Sequence, residues 1–334
     1  IKRDDLSWEK NQMINTGIDL QMFDGYIGFS VDYYNTNTSN MLLYVPVPLL
    51  TGYSTSLQNL GKVNNRGWEL ALTSQHTFAN GFGYSFNANY AKNTNEVKEL
   101  GPGNAPIISS GSVAHAYYIT EVGKPIGNYY LLVQDGIFAT EEDLKKYPHF
   151  DNTEVGDFRF VDVDGDGKLD LDKDRTICGN YMPKFTYGFG GKLWYAGFDM
   201  DFNFQGVYGN KILNLNKRYL DNMEGNTNGT KIALDRWKSP ENPGSGSVNK
   251  ANRKQTGYNS RTSTWHLESG SYLRLQNLSL GYTLPRALTQ KFKVEKMRVY
   301  VSGQNLFTIT NYSGYNPEVN ARPSKNLTPG EDYG

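Results

Sequence analysis

Cysteine is nearly missing: Cys178 stands alone in 334 residues, beside only four histidines, His76, His115, His149 and His266. One thiol excludes an internal disulfide framework, and so sparse a ligand set excludes a Cys/His zinc module. No charge predominates either, because 34 Lys and Arg balance 34 Asp and Glu, with a pI near 7.1. Binding to phosphate backbones needs a concentrated basic surface, so no nucleic-acid partner is expected. Long apolar runs are lacking as well. The longest, Met41 to Leu50, is broken by Pro46 and Pro48 and falls short of the ~20 residues a spanning helix requires. No start methionine or signal sequence precedes Ile1-Lys2-Arg3, which reads as a fragment or a processed product.

What is present is 24 tyrosines, 35 glycines and 13% aromatics with only 20% charged residues, a mixture suited to half-buried strands. Ile14, Thr16, Ile18, Leu20 and Met22 alternate with Asn15, Gly17, Asp19 and Gln21, so one face of a strand is apolar and the other polar. After Asp24-Gly25 the alternation resumes with Ile27, Phe29, Val31 and Tyr33, which predicts a tight hairpin. A second hairpin runs through Trp68, Leu70 and Leu72, turns at Ala79-Asn80-Gly81, and returns through Tyr84, Phe86, Ala88 and Tyr90. A third joins Phe185, Tyr187, Phe189 and Leu193 to Phe198, Met200, Phe202 and Phe204 across Ala196-Gly197. A fourth pairs Leu278, Leu280, Tyr282 and Leu284 with Val299 and Val301. Eight strands in four hairpins are expected.

The connections are lopsided. Turns inside three hairpins are tight, whereas the stretches near 36–64, 94–183 and 208–270 exceed ordinary loops. Short turns at one end, long loops at the other, strands of about ten residues and aromatics at strand ends are the signature of an outer-membrane β-barrel. In that reading the apolar face meets lipid and the Asn/Gln/Asp/Ser face lines a wet lumen, with closure required to pair backbone groups in hydrocarbon. Alternation also fits a soluble all-β sandwich or barrel with Gly/Asn-rich loops.

Several segments carry a family resemblance: Asn59-Leu-Gly-Lys-Val-Asn-Asn-Arg-Gly-Trp-Glu69, Val122-Gly-Lys-Pro-Ile-Gly127, Asp135-Gly-Ile-Phe138, Gly156-Asp-Phe-Arg-Phe160 and Pro183-Lys-Phe-Thr-Tyr-Gly188. More specific are Ser271-Tyr-Leu-Arg-Leu-Gln-Asn-Leu-Ser-Leu-Gly-Tyr-Thr-Leu-Pro285, Arg298-Val-Tyr-Val-Ser-Gly-Gln-Asn-Leu-Phe-Thr-Ile-Thr310 and Tyr312-Ser-Gly-Tyr-Asn-Pro-Glu318. In this order, from about Leu6 to Glu318, the chain resembles the C-terminal barrel region of the SusC/RagA family, TonB-linked outer-membrane transporters of Bacteroidetes. The resemblance implies that residues 1–334 are a partial barrel domain: an all-β, antiparallel, transmembrane sector of a barrel of about 22 strands with long extracellular loops. It implies that the plug domain, the first strands and the last strand are not included. By the same resemblance the protein imports a bulky nutrient, an oligosaccharide or, as in RagA-like members, a peptide. A SusD-like lipoprotein and the TonB complex would be its partners, membrane lipid its surroundings, and no cofactor would serve transport. A self-contained eight-stranded barrel with a structural or adhesive role stands as the alternative.

One segment suggests a metal. Asp162-Val-Asp-Gly-Asp-Gly-Lys-Leu-Asp170 places carboxylates at positions 1, 3, 5 and 9 with Gly167 at position 6, the opening of an EF-hand-like calcium loop. Asp162, Asp164, Asp166 and Asp170, with Lys168 through its backbone carbonyl, are the candidate ligands of a structural Ca²⁺. Position 12 is Lys173, so the closing carboxylate is displaced to Asp174. The same residues could form an acidic turn held by Asx hydrogen bonds.

Catalysis is not expected, since the four histidines stand apart without a nucleophile elbow, a paired-His motif or a phosphate loop. Asp199 and Asp201 would resemble a glycosidase pair, but they fall on the polar face of one strand, where they read as lumen wall. The sequons at Asn228 and Asn311 carry no weight in a bacterial membrane protein. Tyr117, Tyr118, Tyr129 and Tyr130 could stack on sugar faces or pack their loop against itself. Trp237-Lys-Ser-Pro-Glu-Asn-Pro243 reads as a short helix and then a coil stopped by proline.

Overall fold

The computed structural model describes residues 7–46, 50, 52, 55–225, 228–254 and 257–333. They form two compact units: Ile1–Gly101, Met182–Asn210 and Gly270–Asn311 in one, Pro102–Tyr181, Lys211–Ser269 and Tyr312–Gly334 in the other. Leu6, positions 47–49 of the Met41–Leu50 run, and Gly334 lie outside the described residues.

The first unit is one antiparallel sheet of eight strands in chain order. They are β1 (Lys10–Met22), β2 (Ile27–Pro46), β3 (Thr55–Thr77), β4 (Gly83–Leu100), β5 (Phe185–Tyr195), β6 (Phe198–Tyr208), β7 (Tyr272–Thr283) and β8 (Arg298–Thr310). All four expected hairpins form. At the β5–β6 turn Ala196 and Gly197 both have positive φ, 50° and 88°, as a two-residue turn matching strand twist demands.

The register joins the apolar residues into one surface. Ile18 faces Val31, Val31 faces Leu70 and Leu70 faces Tyr90. Beyond them Phe189 faces Phe204, Met200 faces Leu280, and Leu280 faces Val301. This surface is bare, with Ile14 62% and Val301 68% exposed. A contiguous apolar face of this extent belongs against lipid rather than water. Aromatic residues edge it at both ends. Phe198 and Tyr282 pack at 4.5 Å near the short turns, while Tyr33 with Trp68 at 4.8 Å and Phe185 with Tyr208 at 4.9 Å mark the other limit.

Two expectations about length need correction. The stretch 36–64 is not a long loop: β2 continues to Pro46 and β3 begins at Thr55, and the two pair along this length with register shifts around Met41. Nor are the strands uniformly about ten residues, since β2 has 20 and β3 has 23. Beyond Tyr33 and Trp68 the same face turns polar, with Asn35, Asn37, Asn64 and Arg66. Asn64 Nδ2 donates to Asn37 Oδ1 at 2.8 Å. The hairpin leaves the apolar layer here and persists as strand because side-chain amides satisfy one another in place of lipid contact. Loss of apolar alternation therefore marked the membrane limit, not the strand end.

The second unit overturns the expectation that 94–183 and 208–270 are loops. It holds a four-stranded antiparallel sheet ordered 175–179, 128–132, 117–120, 107–110, and a three-stranded one ordered 267–269, 211–214, 331–332. Ala116, Tyr118, Tyr129, Leu131, Leu213 and Leu215 form one core. Leu132, Ile137, Phe150, Phe158 and Phe160 form another, with Trp237, Tyr258 and Trp265 against it. Tyr118 and Tyr129 are fully buried, which corrects the sugar-stacking alternative for these two rings. Glu331 is buried too, and accepts from Ser112 N–H at 3.1 Å and from the Tyr118 hydroxyl at 3.1 Å. The expected helix at 237–243 lies earlier, as a 3-10 turn over Lys231–Asp235 capped by the Thr230 hydroxyl.

Close packing in the sheet places glycine beneath aromatic rings across the strands. A Cβ on Gly206 would lie 2.2 Å from Tyr187 Cζ, and one on Gly83 2.2 Å from Trp194 Cε2, each ring belonging to the directly facing residue. Gly206→Val should displace Tyr187 and cost about 1–3 kcal/mol, as overpacking does. The temperature at which the full-length protein loses its compact, heat-modifiable electrophoretic form should fall. An unchanged unfolding temperature in Gly206→Val would refute this account.

Candidate functional site

The polar face of the sheet is a wall of hydrogen-bonded groups. Arg298 donates to both carboxylate oxygens of Asp199, Nε at 2.9 Å and Nη2 at 2.5 Å, across β8 and β6. Asp201 accepts from Asn277 at 3.3 Å, and Gln276 donates to Gln205 at 2.7 Å. Asp199 and Asp201 are each engaged by a different strand, as polar wall requires.

In the second unit, the acidic loop joins the strand Phe158–Phe160 to the strand Arg175–Gly179. Asp162, Asp164 and Asp166 come together there, with one carboxylate oxygen from each lying within 4.8 Å of the others. Gly165 and Gly167 have φ of 75° and 82°, a backbone that L side chains rarely adopt, and their N–H groups donate to Asp162 at 2.7 and 2.8 Å. These donations, the Gly167 one foremost, hold the Asp162 carboxyl below the usual carboxylate range. The Lys168 N–H donates to Asp166 at 2.9 Å.

Asp170 and Asp174 stand outside this cluster. Asp170 accepts from the N–H groups of Asp172 at 2.6 Å and Lys173 at 3.2 Å, and the Asp172 bond foremost lowers its pKa. Asp174 is fully buried and spends its two oxygens on the N–H groups of Val163 and Asp170, at 2.8 and 2.6 Å. It clasps the two ends of the loop, a role invisible in spacing because it depends on where the chain returns. What the arrangement can do chemically is present three hard carboxylates to a divalent cation on a preformed turn.

Beside this loop lies a cavity of 920 Å³ walled by Tyr147, His149, Asp170, Asp172 and Tyr258, with Lys145 and Lys146 at its side. It mixes tyrosine rings with both signs of charge. Sequence reasoning did not assemble this cavity, whose walls come from segments near 147, 170 and 258 that share no motif.

His76, His266 and Cys178 serve packing. His76 packs edge-on against Tyr26 at 4.6 Å, and His149 Nδ1 lies 3.0 Å from the Phe150 carbonyl. The buried His266 accepts the Ser263 N–H at Nδ1, 3.2 Å away, closing a capping box. Burial, with Lys217 and Arg218 nearby, pushes its pKa down to about 3. The Cys178 thiol is pushed up to about 11 by burial, the reverse of what a nucleophile needs.

The family model for the TonB dependent receptor-like β-barrel matches residues 2–306. TonB-dependent receptor P3 of Formosa agariphila is 33% identical over 343 residues, covering 99% of this chain and 33% of its own length. SusC of Bacteroides thetaiotaomicron is 26% identical over 332 residues, covering 98% of this chain and 31% of its own. The solved RagAB peptide transporter superposes with a TM-score of 0.76 at 26% identity, covering 98% of this chain and 34% of that one. The chain thus spans about a third of the length of the curated relatives it matches.

The depressed pKa of His266 has a thermodynamic consequence. Unfolded, the imidazole titrates near 6.5; folded, it refuses the proton until about 3. Its contribution to stability is therefore complete above pH ~6.5 and is lost progressively as pH falls toward 3, because the unfolded state gains the proton first. His266→Gln keeps an acceptor for the cap and should flatten the fall of unfolding temperature in that window, followed by near-UV circular dichroism of the full-length protein. An identical slope in the variant would show that another group controls it.

Proposed function

The chain belongs to the TonB-dependent receptor β-barrel family, and on that premise we propose that the whole protein imports a bulky nutrient, an oligosaccharide, across the outer membrane. Its place is the outer membrane, where its exposed apolar sheet face meets lipid. In this proposal residues 1–334 are part of the barrel domain, a SusD-like surface lipoprotein delivers the ligand, and the TonB complex energises its passage. The observation that carries the oligosaccharide reading is the cavity of 920 Å³ in the second unit. The faces of both tyrosines are taken, Tyr258 by Phe150 and Arg261 and Tyr147 by Arg159, so the support is polar: the two tyrosines with Asp170, Asp172 and His149 offer partners for sugar hydroxyls. The likeness to RagAB, a peptide transporter, favours peptide as the second reading.

Purification of the full-length protein from detergent-extracted outer membranes, with whatever stays bound, separates the two. Released ligand analysed by mass spectrometry should be saccharide, and Tyr147→Phe with Tyr258→Phe, which keep the ring packing, should weaken its rebinding about ten-fold, the loss of roughly one to two hydrogen bonds. Recovered peptides would replace the first reading with the second. A parent chain of the present mass, folding alone in detergent with no ligand and no lipoprotein, would overturn both in favour of a structural or adhesive barrel.

We propose further that Asp162, Asp164 and Asp166, with the Lys168 carbonyl and Asp170, take a structural Ca²⁺. The support is the approach of the Asp162, Asp164 and Asp166 carboxylates within 4.8 Å on glycines already in the turn conformation, where a cation would relieve like-charge repulsion. Titration calorimetry should show calcium binding that Asp164→Ala, Asp166→Ala abolishes. No heat and no thermal stabilisation by calcium would reduce the loop to an acidic turn.

A further inference from the structure

Three arginines from separate segments of the second unit gather about one histidine. Arg261 Nη1 lies 2.7 Å from His115 Nε2. Arg218 donates to the Ser260 carbonyl and lies 3.5 Å from the Ala114 carbonyl. Arg175 is the third, its guanidinium 3.7 Å from the centre of the Tyr117 ring, and that ring is 6.3 Å from His115. The stack continues on the other side, where Arg261 sits over Tyr258 at 5.1 Å and Tyr258 stacks on Phe150 at 4.2 Å. Cations and aromatic rings thus alternate up to a wall of the cavity that Tyr258 lines. His115 itself is held with φ of 66°, a backbone conformation uncommon outside glycine.

The charge here is poorly balanced. Asp172 pairs with Arg175 at 3.2 Å, but its side chain is 87% exposed, so solvent weakens the pairing. Glu224 feels Arg218, yet burial pushes its carboxyl up toward the neutral form. His115 stays neutral near pH 7, since burial first, and then Arg261, Arg175 and Arg218, push it down to about 4.

Hydrogen-bond chemistry then dictates what is missing from the partners. A guanidinium can only donate, so His115 Nε2 must accept from Arg261, which puts the imidazole proton on Nδ1. Nδ1 is buried and without a hydrogen-bond partner, and so is Nε of Arg261. Both are donors. Leaving two buried donors unpaired beside three guanidinium groups is costly in a protein interior, and an acceptor carrying negative charge would lower that cost.

We propose that the Arg175–Arg218–Arg261 cluster around His115 binds an anionic group, a carboxylate or sulfate, borne by the imported ligand. This rests on the import reading and narrows its substrate class to ligands bearing an acid group, which meets the guanidiniums. Neutral His115 donates through Nδ1 while its Nε2 accepts from Arg261, a pairing that a protonated ring, a donor at both nitrogens, could not keep.

The test uses the full-length protein in detergent. Inorganic sulfate, titrated against chloride at matched ionic strength, probes the cluster independently of any transported ligand. A galacturonate trimer and a glutamate-rich peptide, each beside an uncharged counterpart, then identify the source of the anion. Wild type should bind sulfate and one of the acidic ligands, and Arg261→Gln should weaken both about ten-fold or more, the usual loss for a charge-assisted hydrogen bond. The uncharged counterparts should be unaffected. Arg175→Gln, nearer the solvent-exposed Asp172, repeats the test should Arg261→Gln fail to fold. Arginine dependence for the peptide alone would keep the anion site and assign it to peptide. Equal sulfate and ligand affinity in wild type and both variants would overturn the site, while uptake of an uncharged oligosaccharide by the same cells would show that the import reading survives it.

Discussion

Backbone hydrogen bonding in a medium without water is the constraint on which the rest depends. In hydrocarbon every N–H and C=O must find a partner within the protein, so strands cross only in a continuous antiparallel ladder. That ladder couples register to chemistry. Because side chains alternate with period two, a slip of one residue would turn Ile18, Val31, Leu70 and Met200 to the polar side and Asp32, Glu69 and Asp199 to lipid. A shared register across eight strands is what keeps the membrane layer of one face apolar. Where a shift occurs, between Asn203 and Phe204 against Asn277 and Leu275, the extra residue Gln276 is taken up and the apolar pairing resumes.

The second unit obeys a different economy. Its segments do not alternate with period two and build ordinary cores instead, with Tyr118 and Tyr129 in one and Phe150, Phe158 and Phe160 in the other. Burying so many polar tips requires partners. Tyr118 finds Glu331, and Tyr312 finds Asp332, which ties residues near 118 and 312 to the two-residue strand Glu331–Asp332. These bonds span more than 200 positions for Tyr118 and Glu331, so the unit is specified by long-range pairing rather than by local propensity. The same long-range assembly brings Arg175, Arg218 and Arg261 to one histidine.

Legibility followed periodicity. The hairpin from Ile14 to Tyr33 was readable because lipid on one side and water on the other impose alternation at each step. Asn35, Asn37 and Asn64 carry no such contrast, and the strand there was missed although its backbone pairing is unbroken. Tyr118 and Tyr130 occupy similar sequence surroundings, yet one is fully buried and the other half-buried; nothing local distinguishes them. Asp162, Asp164 and Asp166 were legible as a group because the ligand spacing of a tight turn is local. Asp174 was legible as a carboxylate but not as a clasp, since its partners Val163 and Asp170 become neighbours only when the loop closes.

The sequence by itself determined which residues face lipid, how many strands cross and where tight turns fall, together with the acidic turn and the family. Each is a local property, set by period, by glycine at positive φ or by ligand spacing within a few residues. Only the tertiary structure decided that the long connections are a folded unit, which tyrosines are core, and where the cationic and acidic side chains converge. Those outcomes depend on contacts between segments far apart in the chain. Such contacts are selected by the mutual burial of surfaces and the pairing of buried polar groups, neither of which leaves a repeat in the sequence.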